Sequence, residues 1–470
     1  MLPSCCSCLS RQSALARPPL ASRLVDLLRP SPLGSSTAPR HAAALSTLSR
    51  PSDHTRRLPK PPSPLPAVSR AQRRGVCDQQ HFRTRHGNIR VNLAAKGAVG
   101  IAQSRGERPY QEDAYSVHSL AVPQSALKWN VVDDRLGTGW TPQTLEGFKC
   151  EEPPGQERKR QVAYFGVFDG HGGDRVSRYL RDSLASLIEA SHVEEIPAII
   201  DEYRSLGGYL KRYRGGPLDR FRKESPEYSD WKGMALDDLA VLAFLKADCH
   251  VCADAEMKKK GGGSTATIAL LHSLDLPYSH PYYASSLLSL TVAHLGDTSC
   301  LLASTQSGRA RRLTESHHAD SRTESERLRT SGTGIITDSF GESRWGGVVA
   351  NTRAVGDVEF KPVGVIAEPD ITKKVFKGDE FSHLILLSDG ITDSLSDQEI
   401  VDLTRGIRDP TQAAKKIVSF AEDVGAEDNL TCLVVPLPGF GRMGGIDTTA
   451  SRREYRLRQM TGASSRQKRM

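Results

Sequence analysis

An α+β protein built on two packed β-sheets flanked by helices is the fold class this sequence predicts. Three observations point to it. Short apolar runs recur through the middle of the chain ("VAYFGVFD", "STATIALL", "LLSLTVAHLGD", "CLLAS", "HLILLSDG", "LTCLVVP"), several apolar throughout and so covered on both faces. Between them lie stretches with helical spacing. Strands and helices come in runs, without the regular strand–helix alternation of a doubly wound sheet.

Taken in order, residues 1–90 are rich in Ser, Pro, Ala and Arg, and "RPP", "RPSP" and "KPPSPLP" forbid long helices there. This leader is expected to be disordered or removed. Arg11, Arg17, Arg23 and Arg29 among Ser, Ala and Leu fit an organelle transit peptide, mitochondrial ahead of plastid on Arg density. The plain alternative is a basic disordered tail on a cytosolic protein. Of the 63 Lys and Arg residues, 16 fall in the first 100 positions, which hold only Asp26, Asp53 and Asp78 as acids; the rest of the chain carries 47 basic against 52 acidic residues. The positive excess belongs to the leader, so nothing in the body calls for nucleic acid as a partner.

A single domain is expected over 91–438. Asp174 opens an amphipathic helix in which Val176, Leu180, Leu184, Leu187 and Ile188 recur at steps of three and four. A second helix fits 235–257, and a pair fits 396–405, with Ser396 as cap, and 411–422. Two polar stretches near 121–160 and 195–232 lack clear periodicity and read as insertions or surface loops. Residues 439–470 read as a basic, disordered, solvated tail. Nine cysteines, odd in number and with Cys5, Cys6 and Cys8 at the start, imply no disulfide framework. Cys249 and Cys252 form one C-x-x-C on a helix with no second pair near enough for zinc, so packed thiols are expected. No stretch approaches the ~18 apolar residues of a membrane span.

Several predicted strands end in an acid followed by a turn. Asp169-Gly170, Asp297, Asp389-Gly390 and Asp428-Asn429 share this form, and Glu112-Asp113 lies between β segments. Singly, each is an ordinary turn signal. Together, carboxylates at the mouth of an apolar core would repel one another unless hard divalent cations such as Mg²⁺ or Mn²⁺ sat among them. Glycine at 170 lets its own carbonyl reach the same ion. Two ions about 3.5 to 4 Å apart would activate a bridging water for in-line attack on phosphorus, a hydrolysis that needs no protein nucleophile. G-x-S-x-G does not occur, and the two C-x5-R spacings, Cys5 to Arg11 and Cys77 to Arg83, both fall in the leader, outside the expected domain. His171, two positions after Asp169, is placed to act as general acid or merely to bond backbone in a tight turn. Arg108, four before Glu112, is placed to hold a phosphate bidentately or to form a structural ion pair. "KKKGGGSTATIALL" lacks the Gly-Lys-Ser/Thr of a phosphate loop and runs into a strand.

In order along residues 99–436, "RPYQEDAY", "FGVFDGHGG", "GGSTATIAL", "AHLGDTSCLL", "LTESHH", "NTRAVGD", "LILLSDGITDSLSDQE" and "AEDNLTCLVV" resemble the metal-dependent protein phosphatase 2C family. The resemblance implies a β-sandwich of two antiparallel sheets flanked by helix pairs, with a dinuclear Mn²⁺ or Mg²⁺ centre that hydrolyses phosphoserine and phosphothreonine in phosphoprotein substrates. By motif position it makes Asp169 the bridging ligand and Gly170 the carbonyl ligand. Asp389 and Asp428 would complete one metal with Asp169, and Glu112 would serve the other. Asp113 would accept from metal-bound water, Arg108 would clamp phosphate, His171 would be the general acid, and Asp297 would serve a weaker third metal. Thr392 stands where the family often has an aromatic, "TRAVGD" stands for its "SRALGD", and the segment 316–347, its substrate-facing flap, is individual. Basic leader and domain together resemble mitochondrial fungal members, expected here as a monomer. The rival readings are a catalytically silent binding module, which should lack one of Glu112, Asp169, Asp389 or Asp428, and a small-molecule phosphatase on the same site.

Overall fold

The computed structural model describes residues 78–84, 87–127, 159–207, 216–222, 233–275, 280–329, 334–337, 343–347 and 349–462. The leader up to residue 77, most of the 121–160 stretch, parts of 195–232 and of the 316–347 segment, and the end of the tail lie outside these residues.

Two antiparallel sheets form the centre. One has the strand order β13 (Asp370–Lys377), β7 (Leu287–Leu295), β6 (Gly263–Ser273), β5 (Lys159–His171), β4 (Ala114–Pro123), with the short β12 (Val355–Gly356) also paired to β6. The other runs β3 (Gly100–Ser104), β15 (Leu430–Pro436), β14 (Phe381–Leu387), β8 (Ser299–Ser304), β9 (Ala310–Arg312). Side chains alternate across each strand. In β5, Ala163, Phe165 and Val167 meet Leu384 and Leu386 of β14 and Leu433 and Val435 of β15 in the middle of the sandwich. Their neighbours Val162, Tyr164 and Phe168 face a helix layer of α1 (Arg175–Glu189), α2 (Ile196–Ser205) and α3 (Leu236–Ala253). On the opposite side Leu301, Ile385, Leu387, Cys432 and Val434 meet a second helix layer. The central strands β6, β14 and β15 are thus covered on both faces, which is why they read as unbroken apolar runs.

The helix expected over 235–257 is interrupted. Asp254 adopts an extended conformation, and its carboxylate accepts from the amides of Glu256 and Met257 to cap a separate α4 (Ala255–Lys260). In α3, Cys249 and Cys252 are buried free thiols that burial pushes upward in pKa, in keeping with packed thiols. Beyond it come α5 (Arg322–Leu328), the hairpin β10 (Ile335–Thr337) and β11 (Ser343–Trp345), and a 3₁₀ turn at Val358–Val363. The second helix layer contains α6 (Asp389–Thr392), α7 (Asp397–Leu403) and α8 (Pro410–Asp423).

Three sequence expectations are corrected here. The leader boundary at residue 90 cuts through a hairpin of β1 (Gln79–Thr84) and β2 (Gly87–Asn92), fastened because Phe82, Val91 and Leu93 are buried against the sandwich. The supposed insertion at 195–232 contains α2, whose Ile196, Ile199, Ile200 and Tyr203 are core residues; Tyr203 also accepts the Ala367 amide at 2.7 Å. The tail contains α9 (Thr449–Gly462), tied down by ion pairs of Arg453 and Arg456.

Charges buried in α3 are paired with distant segments. Asp248 and Lys361 are both fully buried, 2.7 Å apart. Burial pushes the Asp248 carboxyl above its ordinary value, against the pull of Lys361. Asp248 also accepts the Gly356 amide, and Lys361 donates to the Ala354 carbonyl, so the pair pins residues 354–361 to the helix. Lys361→Met should lower stability by about 3–5 kcal/mol, because it strands a buried carboxylate, while Lys361→Met with Asp248→Asn should recover much of the loss. Equilibrium urea unfolding reads both; equal stability of Lys361→Met and the parent would refute the pairing energy.

Candidate active site

All the predicted site residues lie at one end of the sandwich, and strand register puts them there. β4 pairs with β5 so that Ala114 faces Phe168, which sets Asp113 opposite Asp169. Thr265 of β6 pairs with Asp169, and Ala266 with Leu295 of β7, which brings the following turn and Asp297 alongside. Leu387 of β14 faces Cys432 of β15, so Asp389 follows one strand while Asp428 precedes the other. Arg108, Glu112, Asp169, Gly170, His171, Asp297, Asp389 and Asp428 line one cavity of about 720 Å³.

Carboxylate oxygens of Asp169, Asp297 and Asp389 lie within 4.8 Å of one another. Desolvation, then the charge of Asp389, drives the Asp169 pKa well above the ordinary range; desolvation, then the charge of Asp297, does the same to Asp389. Asp113 is pushed up to about 6, by burial first, although Thr431 Oγ1 donates to its Oδ2 at 2.7 Å and is itself held by Gln103 Nε2. The donor set is all oxygen, crowded and short of cations, and Asp297 Oδ1 is buried without a hydrogen-bond partner among the described residues. That chemistry suits a hard divalent ion such as Mg²⁺ or Mn²⁺.

Gly170 is required for a reason beyond the freedom of its carbonyl. A Cβ at this position would stand 2.5 Å from the Glu112 carbonyl and 2.8 Å from Ser177 Oγ. The glycine lets β5 press against the segment that carries Glu112.

The tight carboxylate group differs from the expected ligand grouping. Asp297, expected at a weaker third position, stands inside it, while Glu112 and Asp428 line the cavity outside it. Asp428 Oδ2 is 2.6 Å from Arg108 Nη2, so the guanidinium holds that carboxylate aside. Arg108 is therefore in an ion pair at the rim, the plainer of the two roles its spacing allowed, and is 54% exposed there.

His171 is not spent on backbone. Its Nε2 lies 2.9 Å from both carboxylate oxygens of Asp357. Desolvation in the cleft pulls the imidazole pKa down, but the charge of Asp357 and its hydrogen bond outweigh this and raise it. Asp357 has φ 49°, the positive φ recorded for a non-glycine among the described residues, and its amide donates to the Gly262 carbonyl. Sequence reasoning missed Asp357, although "VGD" has the acid-and-turn form of the other site segments. It also missed Asn351, whose Nδ2 donates to Asp297 Oδ2, and Asp393, which lines the cavity.

Residues 191–430 match the family model of protein phosphatase 2C. The chain belongs to the protein phosphatase 2C family. This phosphatase is 37% identical over 281 residues to Protein phosphatase 2C homolog 4 of Schizosaccharomyces pombe, an alignment covering 59% of this chain and 71% of that protein. It is 28% identical over 287 residues to Protein phosphatase 1K, mitochondrial, of Xenopus laevis, covering 60% of this chain and 62% of the relative. Among solved structures, a serine-threonine phosphatase 2C from Toxoplasma gondii is similar at 18% identity and TM-score 0.46, over 77% of this chain and 98% of that one. The sandwich of two antiparallel sheets between helix layers is the fold of protein phosphatase 2C, and the chain is a serine/threonine protein phosphatase. Dependence on Mn²⁺ or Mg²⁺ is general to the family.

Proposed function

We propose that this phosphatase removes phosphate from phosphoserine and phosphothreonine of mitochondrial proteins, as a monomer, with Asp169, Gly170, Asp389, Asp428, Glu112 and Asp297 as metal donors. The convergence of Asp169, Asp297 and Asp389 carries the reading, since three desolvated carboxylates within 4.8 Å are tolerable when cations neutralise them. When bound, a pair of such ions supplies Lewis acidity at phosphorus and water acidic enough to attack it near neutral pH. Asp169, near the end of β5 and desolvated, suits the shared ligand. Asp113, held by Thr431 and outside the residues that line the cavity, would accept the proton or hydrogen bond of water. Arg108, at the exposed rim, offers its fork to the phosphate oxygens once it trades Asp428 for them. His171, with Nε2 engaged by Asp357, has Nδ1 left to protonate the departing seryl oxygen.

Phosphate release from a phosphothreonine peptide should require Mn²⁺ or Mg²⁺ and stop on addition of chelator. Release that persists in chelator would sink the reading, and failure of calorimetry to detect divalent-ion binding would favour a silent binding module. Location rests on the acid-poor, Arg-bearing leader and on the mitochondrial relative's name. Residues 1–90 fused to a fluorescent reporter should carry it into mitochondria; diffuse cytosolic signal would refute that part.

A further inference from the structure

The basic segment after the last strand is built into the protein. Gly444 donates its amide to the Thr305 carbonyl at 2.8 Å, and Thr448 donates from both its amide and Oγ1 to the buried Asp402 Oδ2, at 2.8 and 2.7 Å. The chain then enters α9, which lies on α7. Arg453 Nε is 2.8 Å from Glu399 Oε1, and Arg456 Nη2 is 3.1 Å from Oε2 of the same fully buried carboxylate. The Arg453 guanidinium also sits over the Phe420 ring of α8, 5.4 Å from its centroid.

The same two arginines reach the segment that leaves the active site. Both donate to the Ser394 carbonyl, at 3.3 and 3.5 Å. Ser394 directly follows Asp393, which lines the cavity, and Asp393 in turn donates its amide to the Asp389 carbonyl at 2.8 Å. At the other end of this turn, Glu399 Oε2 accepts the Ser396 amide at 2.9 Å and its hydroxyl at 2.6 Å, closing the start of α7. Arg453 and Arg456 therefore hold residues 394–399 at both ends, by Ser394 and by Glu399, and so anchor the downstream side of the turn that begins at Asp389.

We infer that Arg453 and Arg456 are positioning residues for catalysis, holding the 389–396 turn so that Asp389 stands beside Asp169 and Asp297. The inference rests on the reading of Asp389 as a metal donor. A buried carboxylate stripped of its cations must find water or take up a proton, and either loosens the capped turn it anchors. Displacement of a ligand by as little as about 1 Å is enough to impair a site of this kind.

The test uses full-length protein with Arg453→Ala and Arg456→Ala together, and Arg458→Ala, which alters an exposed residue of the same helix, as control. In the double variant, amide exchange of residues 389–396 should accelerate and calorimetric Mn²⁺ affinity should fall, each about 10-fold or more, with Arg458→Ala matching the parent. Arg453→Lys with Arg456→Lys, which keeps the charges, should recover most of the Mn²⁺ affinity. The inference is overturned if the double alanine variant melts lower yet, well below its melting temperature, exchanges 389–396 and binds Mn²⁺ like the parent. Should that variant not fold, Glu399→Gln takes its place, with the same accelerated exchange expected and unchanged exchange overturning the inference. If the parent itself binds no Mn²⁺, the metal reading fails, while the exchange comparison still decides whether the arginines hold the turn.

Discussion

Asp389→Asn will lose metal-dependent phosphatase turnover and yet, without metal, melt at a higher temperature than the parent. The two effects have one cause. The Asp389 carboxylate shares a desolvated corner with Asp169 and Asp297, and its amide donates to Asp169 Oδ2 at 3.4 Å. In its proposed role as a metal donor it should be indispensable: loss of outer-shell partners alone costs about 10–100-fold, so loss of a direct donor should cost at least about 100-fold in kcat. As a charge in the metal-free fold it is a burden, since burial and Asp297 both oppose its ionisation. Removing it should relieve repulsion on the order of 1 kcal/mol, a rise of a few degrees in Tm.

The sign of the pH dependence follows from the raised carboxyls. A group whose folded pKa exceeds its unfolded value lends stability that is complete below the unfolded value, near 3.8, and is lost as pH rises through the folded one. For Asp113 that window reaches about 6, and Asp169 and Asp389 shift in the same direction. Metal-free parent should therefore melt lower at pH 7.5 than at pH 5, with a shallower slope in Asp389→Asn. Saturating Mn²⁺ should raise the parent Tm at pH 7.5 and move the variant much less. Thermal melts across pH, with Mn²⁺ or chelator, decide it; a variant that melts lower without metal would contradict the repulsion account.

What was legible in the sequence was whatever a local pattern could carry. The apolar runs of β5, β7, β14 and β15 announced covered sheets, and the acids flanking them, Asp169, Asp297, Asp389 and Asp428, announced where the site would form. Long-range pairing left no such trace. His171 and Asp357 are 186 positions apart, and nothing near either reveals the other. The same holds for Asp248 in α3 and Lys361 in the 3₁₀ turn, a charged pair 113 positions apart. Hydrophobic periodicity also measures only one kind of anchoring. α9 has no apolar stripe because it is fastened by Arg453 and Arg456 on Glu399, and so it read as a solvated tail. The β1–β2 hairpin buries little besides Phe82 and Val91, too few to stand out from a leader of similar composition. In α2 the spacing of Ile196, Ile199, Ile200 and Tyr203 was a usable signal, obscured by Pro197 at its first turn, where proline is tolerated.

The second large effect falls on Asp357. Asp357→Asn should reduce kcat on a phosphothreonine peptide by about 10²–10⁴-fold, the usual worth of a general acid, while p-nitrophenyl phosphate loses far less. An alkoxide leaves poorly unless it is protonated, whereas p-nitrophenolate needs little help. Asparagine suits the test because it tolerates the left-handed backbone at φ 49° and preserves the shape that lies against Gly263 and His171, so the change is mainly one of charge. With the carboxylate gone, the largest pull against desolvation in the cleft is lost and the His171 pKa falls. Imidazole is the acid only while protonated. The alkaline limb of kcat for the peptide should therefore move to lower pH in the variant. Because the folded pKa of His171 is raised in the parent, the pair also lends stability below the unfolded value near 6.5 that fades as pH rises through the folded one, and the variant should lack that increment at pH 5.5. Equal losses on both substrates with an unmoved alkaline limb would instead mark Asp357 as a support for the backbone turn, with no part in proton transfer.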